Sequence, residues 1–91
     1  MLSRVRVKIT GYVQGVGFRF FAIDEAKALK IKGYTRNASD GGVEVVAEGE
    51  KSSIDQMVNS LKSGPSSAAV SKVKISYEDY RGEFNDFRIR Y

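Results

Sequence analysis

The sequence contains no cysteine and no histidine among its 91 residues. Without cysteine there are no disulfides, no thiolate metal sites and no cysteine nucleophile. Without histidine, zinc sites of the usual ligand sets and triads that need a histidine base are excluded. No apolar run approaches the roughly 20 residues that span a bilayer. The opening Met-Leu-Ser-Arg-Val-Arg-Val-Lys alternates apolar with charged residues and is not a signal peptide, so a cytoplasmic chain without membrane contact is expected. Acidic residues are the minority, 11 against 15 basic, for a formal charge of +4. That balance favours an anionic partner without choosing between a phosphate ester and a nucleic acid. The charges are interspersed and mostly form ordinary solvated faces. No linker or composition shift divides the chain, and its length suits one small domain, so residues 1–91 are read as a single domain.

What is present is a concentration of glycine. Gly11-Tyr-Val-Gln-Gly-Val-Gly-Phe-Arg19 places three glycines within seven residues, between a strand-like run and a helix-like run. Glycine takes positive φ angles and lets the backbone approach a ligand closely. A strand, a glycine-rich turn and a helix start can converge several backbone N–H groups on an anion. Arg19 closes the stretch with a planar fork of donors that fits phosphate. Its positive charge at the positive end of a helix is unfavourable unless something anionic belongs nearby. The composition fits a phosphate cradle and a simple tight reversal about equally. Two nucleotide motifs fail: the P-loop pattern from Gly11 requires glycine at Val16, and no G-x-G-x-x-G occurs in the stretch.

Periodicity places the remaining elements. Arg4 to Thr10 alternates, with Val5, Val7 and Ile9 on one face and Arg4, Arg6 and Lys8 on the other, as a half-buried strand does. Phe18, Ala22, Ala26 and Leu29 fall at helical spacing, with Gly33 as the expected stop. Phe20 and Phe21 are expected to pack rather than to serve as ligand platforms. Gly33–Ala38 and Gly42–Glu48 are expected as strands joined at Asp40-Gly41, a strong hairpin signal. Ser52 or Ser53 is the expected cap of a second helix carrying Ile54, Met57, Val58 and Leu61, ended by Gly64-Pro65. Val70–Tyr77 and Phe84–Tyr91 are the last two strands. The order predicts an α+β, ferredoxin-like βαββαβ sandwich with an extra C-terminal strand. Its antiparallel sheet is covered on one face by two helices and solvated on the other.

Two segments in this order carry a resemblance. Gly11-Tyr-Val-Gln-Gly-Val-Gly-Phe-Arg19, followed by Gly33-Tyr-Thr-Arg-Asn37 and Asp40-Gly-Gly-Val-Glu44, resembles the two signature segments of acylphosphatases across nearly the whole chain. The resemblance implies a hydrolase that splits acyl phosphates into a carboxylate and inorganic phosphate, with no cofactor, no metal and no phosphoenzyme. Arg19 and the backbone N–H groups of Gln14, Gly15, Val16, Gly17 and Phe18 would bind the phosphate. Asn37, on its own an ordinary turn residue, would hold the attacking water, and the C-terminal Tyr91 would lie near the site.

The chemistry agrees with the composition. A carboxylate leaves without help from an acid, and a loose phosphoryl-transfer transition state asks mainly for positioning and charge stabilisation. In the C-x₅-R loop of cysteine phosphatases the nucleophile would stand at Val13, so water must attack directly and alkyl phosphates should react badly. The rival reading is an RNA-recognition motif, which shares the element order. Its base-stacking aromatics are missing from Val5–Ile9 and Val43–Glu48, so the expected partners are small acyl phosphates and phosphate, met by a monomer, and not nucleic acid. A second alternative is the carbamoyl-phosphate-handling module of hydrogenase maturation proteins, which resembles acylphosphatase.

Overall fold

The computed structural model describes residues 1–91. The elements are β1 (Leu2–Tyr12), α1 (Phe18–Ala28), β2 (Lys32–Asn37), β3 (Val43–Glu50), α2 (Lys51–Ser63), β4 (Ala69–Glu78) and β5 (Phe87–Arg90). The strands lie in the order β4-β1-β3-β2-β5. Four of them form the expected antiparallel sheet, while β5 joins β2 in parallel, Thr35 opposite Ile89, which makes the whole sheet mixed.

The core follows the alternation. Val5, Val7 and Ile9 of β1 and Val43, Val45 and Ala47 of β3 are buried together with Phe18, Ala22 and Ala26 of α1 and Ile54, Met57, Val58 and Leu61 of α2. Both helices therefore cover one face of the sheet.

Three boundaries depart from expectation for identifiable reasons. Helix α1 stops before Gly33: Lys30 takes the left-handed conformation (φ 57°), Ile31 N donates to the carbonyl of Ala26 and Lys30 N to that of Lys27. This is a Schellman closure with lysine in the position glycine usually takes, locked by the buried Ile31. Gly33 instead sits inside β2 against Ala47, where a Cβ would strike the backbone carbonyl of Val46. Helix α2 follows β3 directly, and its first N–H, from Lys51, is met by the carbonyl of Met1 at 2.9 Å, so neither Ser52 nor Ser53 caps it. The last strand begins at Phe87 rather than Phe84.

The face opposite the helices is only partly solvated. Strand β4 ends at one edge of the sheet and β5 begins at the other, so residues 79–86 must cross this face. Glu48 holds the crossing: its carboxylate accepts the N–H groups of Arg81 (2.8 Å), Gly82 (3.2 Å) and Glu83 (3.2 Å), and also Nη1 of Arg4 (3.2 Å). Phe84 lies against the Arg4 guanidinium and edge-on to Tyr34. Arg4 and Glu48 are consequently buried, in spite of their place on the polar face. Burial opposes ionisation of Glu48, yet those N–H donors and Arg4 outweigh it and bring its pKa below the ordinary carboxylate value.

Candidate active site

Strands β1, β2 and β5 run in the same direction, so their C-terminal ends meet at one end of the sheet. The loop from β1 to α1 opens there. Pairing of β1 with β3 ends at Ile9, and a register shift between Thr10 and Gly11 interrupts the β1–β4 ladder, which then continues through Tyr12 to the edge of the loop. Gly15 (φ 74°) and Gly17 (φ 78°) are left-handed, and a Cβ at either would meet nothing within 4 Å. These glycines are required by backbone conformation rather than by crowding, and they leave the space beside the loop clear.

From Gln14 to Phe20 no backbone N–H donates to another group of the protein. Helix α1 is preceded by Gly17 at its N-cap, which supplies no side-chain cap, and has no acidic residue in its first turn. Its positive end is therefore uncompensated, and the loop presents a row of free donors to solvent. Arg19 forms none of the ion pairs of the molecule; its guanidinium lies 5.5 Å from the Tyr91 ring centroid. That is the proximity the resemblance implies, with Tyr91 itself fully exposed.

The loop is tied down on both sides. The Gln14 side chain donates to the carbonyls of Ala38 and Gly42, each at 2.9 Å, and Ser67 Oγ donates to the Val16 carbonyl at 2.7 Å. Gln14 thus fastens the loop to the β2–β3 turn, a role that its motif position did not reveal. The turn is braced in its own right: Asp40 accepts from Lys8 (2.7 Å) and from the N–H of Gly42 (3.0 Å), which lowers its pKa.

A depression of about 230 Å³ lies beside the loop, lined by Val13, Gly15, Gly17, Phe18, Arg19, Phe20 and Asn37. Of the residues singled out in the sequence, Gly15, Gly17, Phe18, Arg19 and Asn37 line it together. Gln14 and Val16 do not line it: the Gln14 side chain is taken up by its tie to the turn, and the Val16 side chain packs against the core while its carbonyl accepts from Ser67. Asn37, the last residue of β2, contributes a buried carboxamide oxygen that has no hydrogen-bond partner in the protein. A buried acceptor left unpaired is costly and calls for a donor. Phe20 departs from expectation. Phe21 packs edge-on against Phe18, whereas Phe20 is 62% exposed at the rim of the depression. Nowhere does the chain gather three His, Cys, Asp or Glu side chains able to hold a metal ion. The groups facing this space are donors for an anion, plus one acceptor.

Comparison with known proteins gives the same family throughout. The acylphosphatase family model matches residues 5–89. The acylphosphatase of Methanothrix thermoacetophila is 47% identical over 87 residues, covering 96% of each chain. The crystal structure of the Bacillus subtilis acylphosphatase superposes with a TM-score of 0.93 at 34% identity over the whole of both chains. A full-length HypF in its phosphate- and nucleotide-bound form also matches, with a TM-score of 0.90 and 30% identity, over 99% of this chain but only 12% of that one. A cradle of free N–H groups, an unpaired arginine and an orphaned asparagine oxygen thus lie on a fold and sequence shared from end to end with hydrolases of acyl phosphates: the chain belongs to the acylphosphatase family.

Proposed function

We propose that this chain hydrolyses acyl phosphates by direct attack of a water molecule on phosphorus. The observation that supports it best is the meeting, at one depression, of Gly15 and the run from Gly17 to Phe20, whose N–H groups have no partner, with the unpaired Arg19 and the partnerless oxygen of Asn37. The phosphate oxygens accept from the loop N–H groups and from the Arg19 guanidinium, in charge-assisted bonds to an anion. The Asn37 oxygen accepts one O–H of the water and aims its lone pair at phosphorus. The water oxygen bonds to phosphorus, the bond from phosphorus to the bridging oxygen breaks, and its electron pair leaves with the carboxylate. A dianionic acyl phosphate and water give a carboxylate and dihydrogen phosphate, so atoms and charge balance.

No base stronger than Asn37 is needed, because the leaving group is stable as an anion and the transition state is loose. The donors are fixed before the substrate arrives: Gln14 and Ser67 hold the loop, and the parallel strand ends hold Asn37 beside it. Loss of one such preorganised donor costs about 10²–10³ in kcat. The outer face of the central strands supports a small-molecule partner over RNA. It carries the paired Arg4, Arg6, Glu44 and Glu48, partly under the 79–86 crossing, rather than exposed aromatics. We read the chain as acting alone, as a monomer.

The test is hydrolysis of benzoyl phosphate with a chelator present, in wild type, Arg19→Gln and Asn37→Ala. Rapid wild-type turnover, loss of about 10²-fold or more in each folded variant, and label from ¹⁸O-water recovered in phosphate are expected. Label in benzoate would refute attack on phosphorus, and full activity of Asn37→Ala would refute its hold on the water. Efficient turnover of an alkyl phosphate would refute the dependence on a good leaving group.

A further inference from the structure

We propose that Phe20 is the specificity-determining residue of this site, a platform for the acyl group that selects acyl phosphates carrying a ring or an extended hydrocarbon. The inference rests on the acylphosphatase reading above and adds the part of the substrate which that reading leaves without a partner. Every polar group at the depression is directed at the phosphate or at the water. The acyl carbon is joined to phosphorus through a single oxygen, so the acyl group emerges beside the bound phosphate and must leave by the open rim. The rim carries Phe20, which lines the depression and has 62% of its surface in water.

The helix explains the placement. Phe18, Ala22 and Ala26 occupy the buried stripe of α1, and Phe20, two positions beyond Phe18, falls off that stripe. No element of the fold covers it. Side chains in a helix lean towards its N-terminus, so a residue in the first turn of α1 overhangs the loop at that end. Neighbouring Phe21 and Phe18 satisfy each other as an edge-on pair with centroids 5.8 Å apart, which leaves Phe20 as the aromatic without a counterpart at the site. A benzoyl or alkyl group passing over the rim would remove apolar surface from water on both sides, and a flat ring would add an aromatic contact. An acetyl group, one methyl beyond its carbonyl, offers little of either.

The experiment compares kcat/KM for benzoyl phosphate and acetyl phosphate in wild type, Phe20→Ala and Phe20→Tyr. Wild type is expected to prefer benzoyl phosphate. Phe20→Ala should reduce that preference about tenfold, mainly through KM, and Phe20→Tyr, which keeps a ring, should retain it. Because Phe20 is mostly exposed, both variants should fold, as thermal melting would verify. A preference that survives Phe20→Ala, or a loss shared equally by the two substrates, overturns the platform while leaving the acylphosphatase reading intact. A wild type that hydrolyses neither substrate overturns that reading and the platform with it.

Discussion

Replacing Glu48 with glutamine isolates the device that secures the end of the chain. The carboxylate is 3% exposed; one oxygen takes the N–H groups of Arg81 and Gly82 and Nη1 of Arg4, and the other takes the N–H of Glu83. The best glutamine rotamer keeps its oxygen on the first set and turns its NH₂ towards the Glu83 N–H, donor against donor. One charge-assisted bond is lost, worth about 1.5–3 kcal/mol, and the remaining three weaken as the charge disappears. Arg4 keeps Glu78 at 2.9 Å and Glu83 at 2.6 Å, so it is not left alone in the interior. A net loss of about 3 kcal/mol is therefore expected, at the low end of the ~3–5 kcal/mol that leaving a buried ion unpaired costs. For a domain of this size that lowers the melting temperature by roughly 12–24 °C, at about 4–8 °C per kcal/mol. Urea unfolding at pH 7 measures it. A loss under about 1 kcal/mol would refute the reasoning. The same variant carries a pH signature. Glu48 titrates at a lower pH in the folded chain than the ordinary 4.5. Its stabilisation is thus complete above that ordinary value and lost as pH falls through the lowered one. Glutamine does not titrate, so the wild-type and variant stabilities should converge on acidification. A gap independent of pH between 7 and 3 would contradict the assignment.

Other consequences can be checked with the same assays. Thr35 is fully buried and its hydroxyl has no partner; Thr35→Val should raise the urea midpoint by about 1 kcal/mol of stability, and a fall would reveal a partner for the hydroxyl. Gly33→Ala places a Cβ against the Val46 carbonyl at a φ of 150°, and it should abolish cooperative thermal unfolding, whereas a normal melt would show that β2 can move aside. Inorganic phosphate at 100 times its Kd should stabilise the wild type by ~2.7 kcal/mol. Arg19→Gln should respond far less at that concentration, and an undiminished response would remove Arg19 from the phosphate site.

Much of this was legible locally. The alternation of Val5, Val7 and Ile9, the helical spacing of Ile54, Met57, Val58 and Leu61, and the Asp40-Gly41 turn each report a period or a backbone demand that neighbouring residues impose. The glycine-rich cradle was visible for the same reason, because left-handed φ at Gly15 and Gly17 is a property of single residues. Helix ends were less legible. Lys30 closes α1 in place of a glycine because the buried Ile31 fixes the turn, and Lys51 is capped by the carbonyl of Met1, from the far end of the sequence.

By itself, then, the sequence determined the order and type of the elements, the core faces, the glycine-rich loop and the family. Each depends on short-range pattern or on motifs contiguous in the chain. Only the tertiary structure decided what stands beside what. It set Asn37 on the same depression as Arg19 and left its oxygen without a partner, made β5 parallel to β2 so that Tyr91 reaches the same end, and buried Arg4 and Glu48 beneath the crossing segment. It also left Phe20 in solvent at the mouth of the site. Strand adjacency is settled by contacts between residues far apart in the chain, and exposure by what those contacts cover; neither has a local period to read.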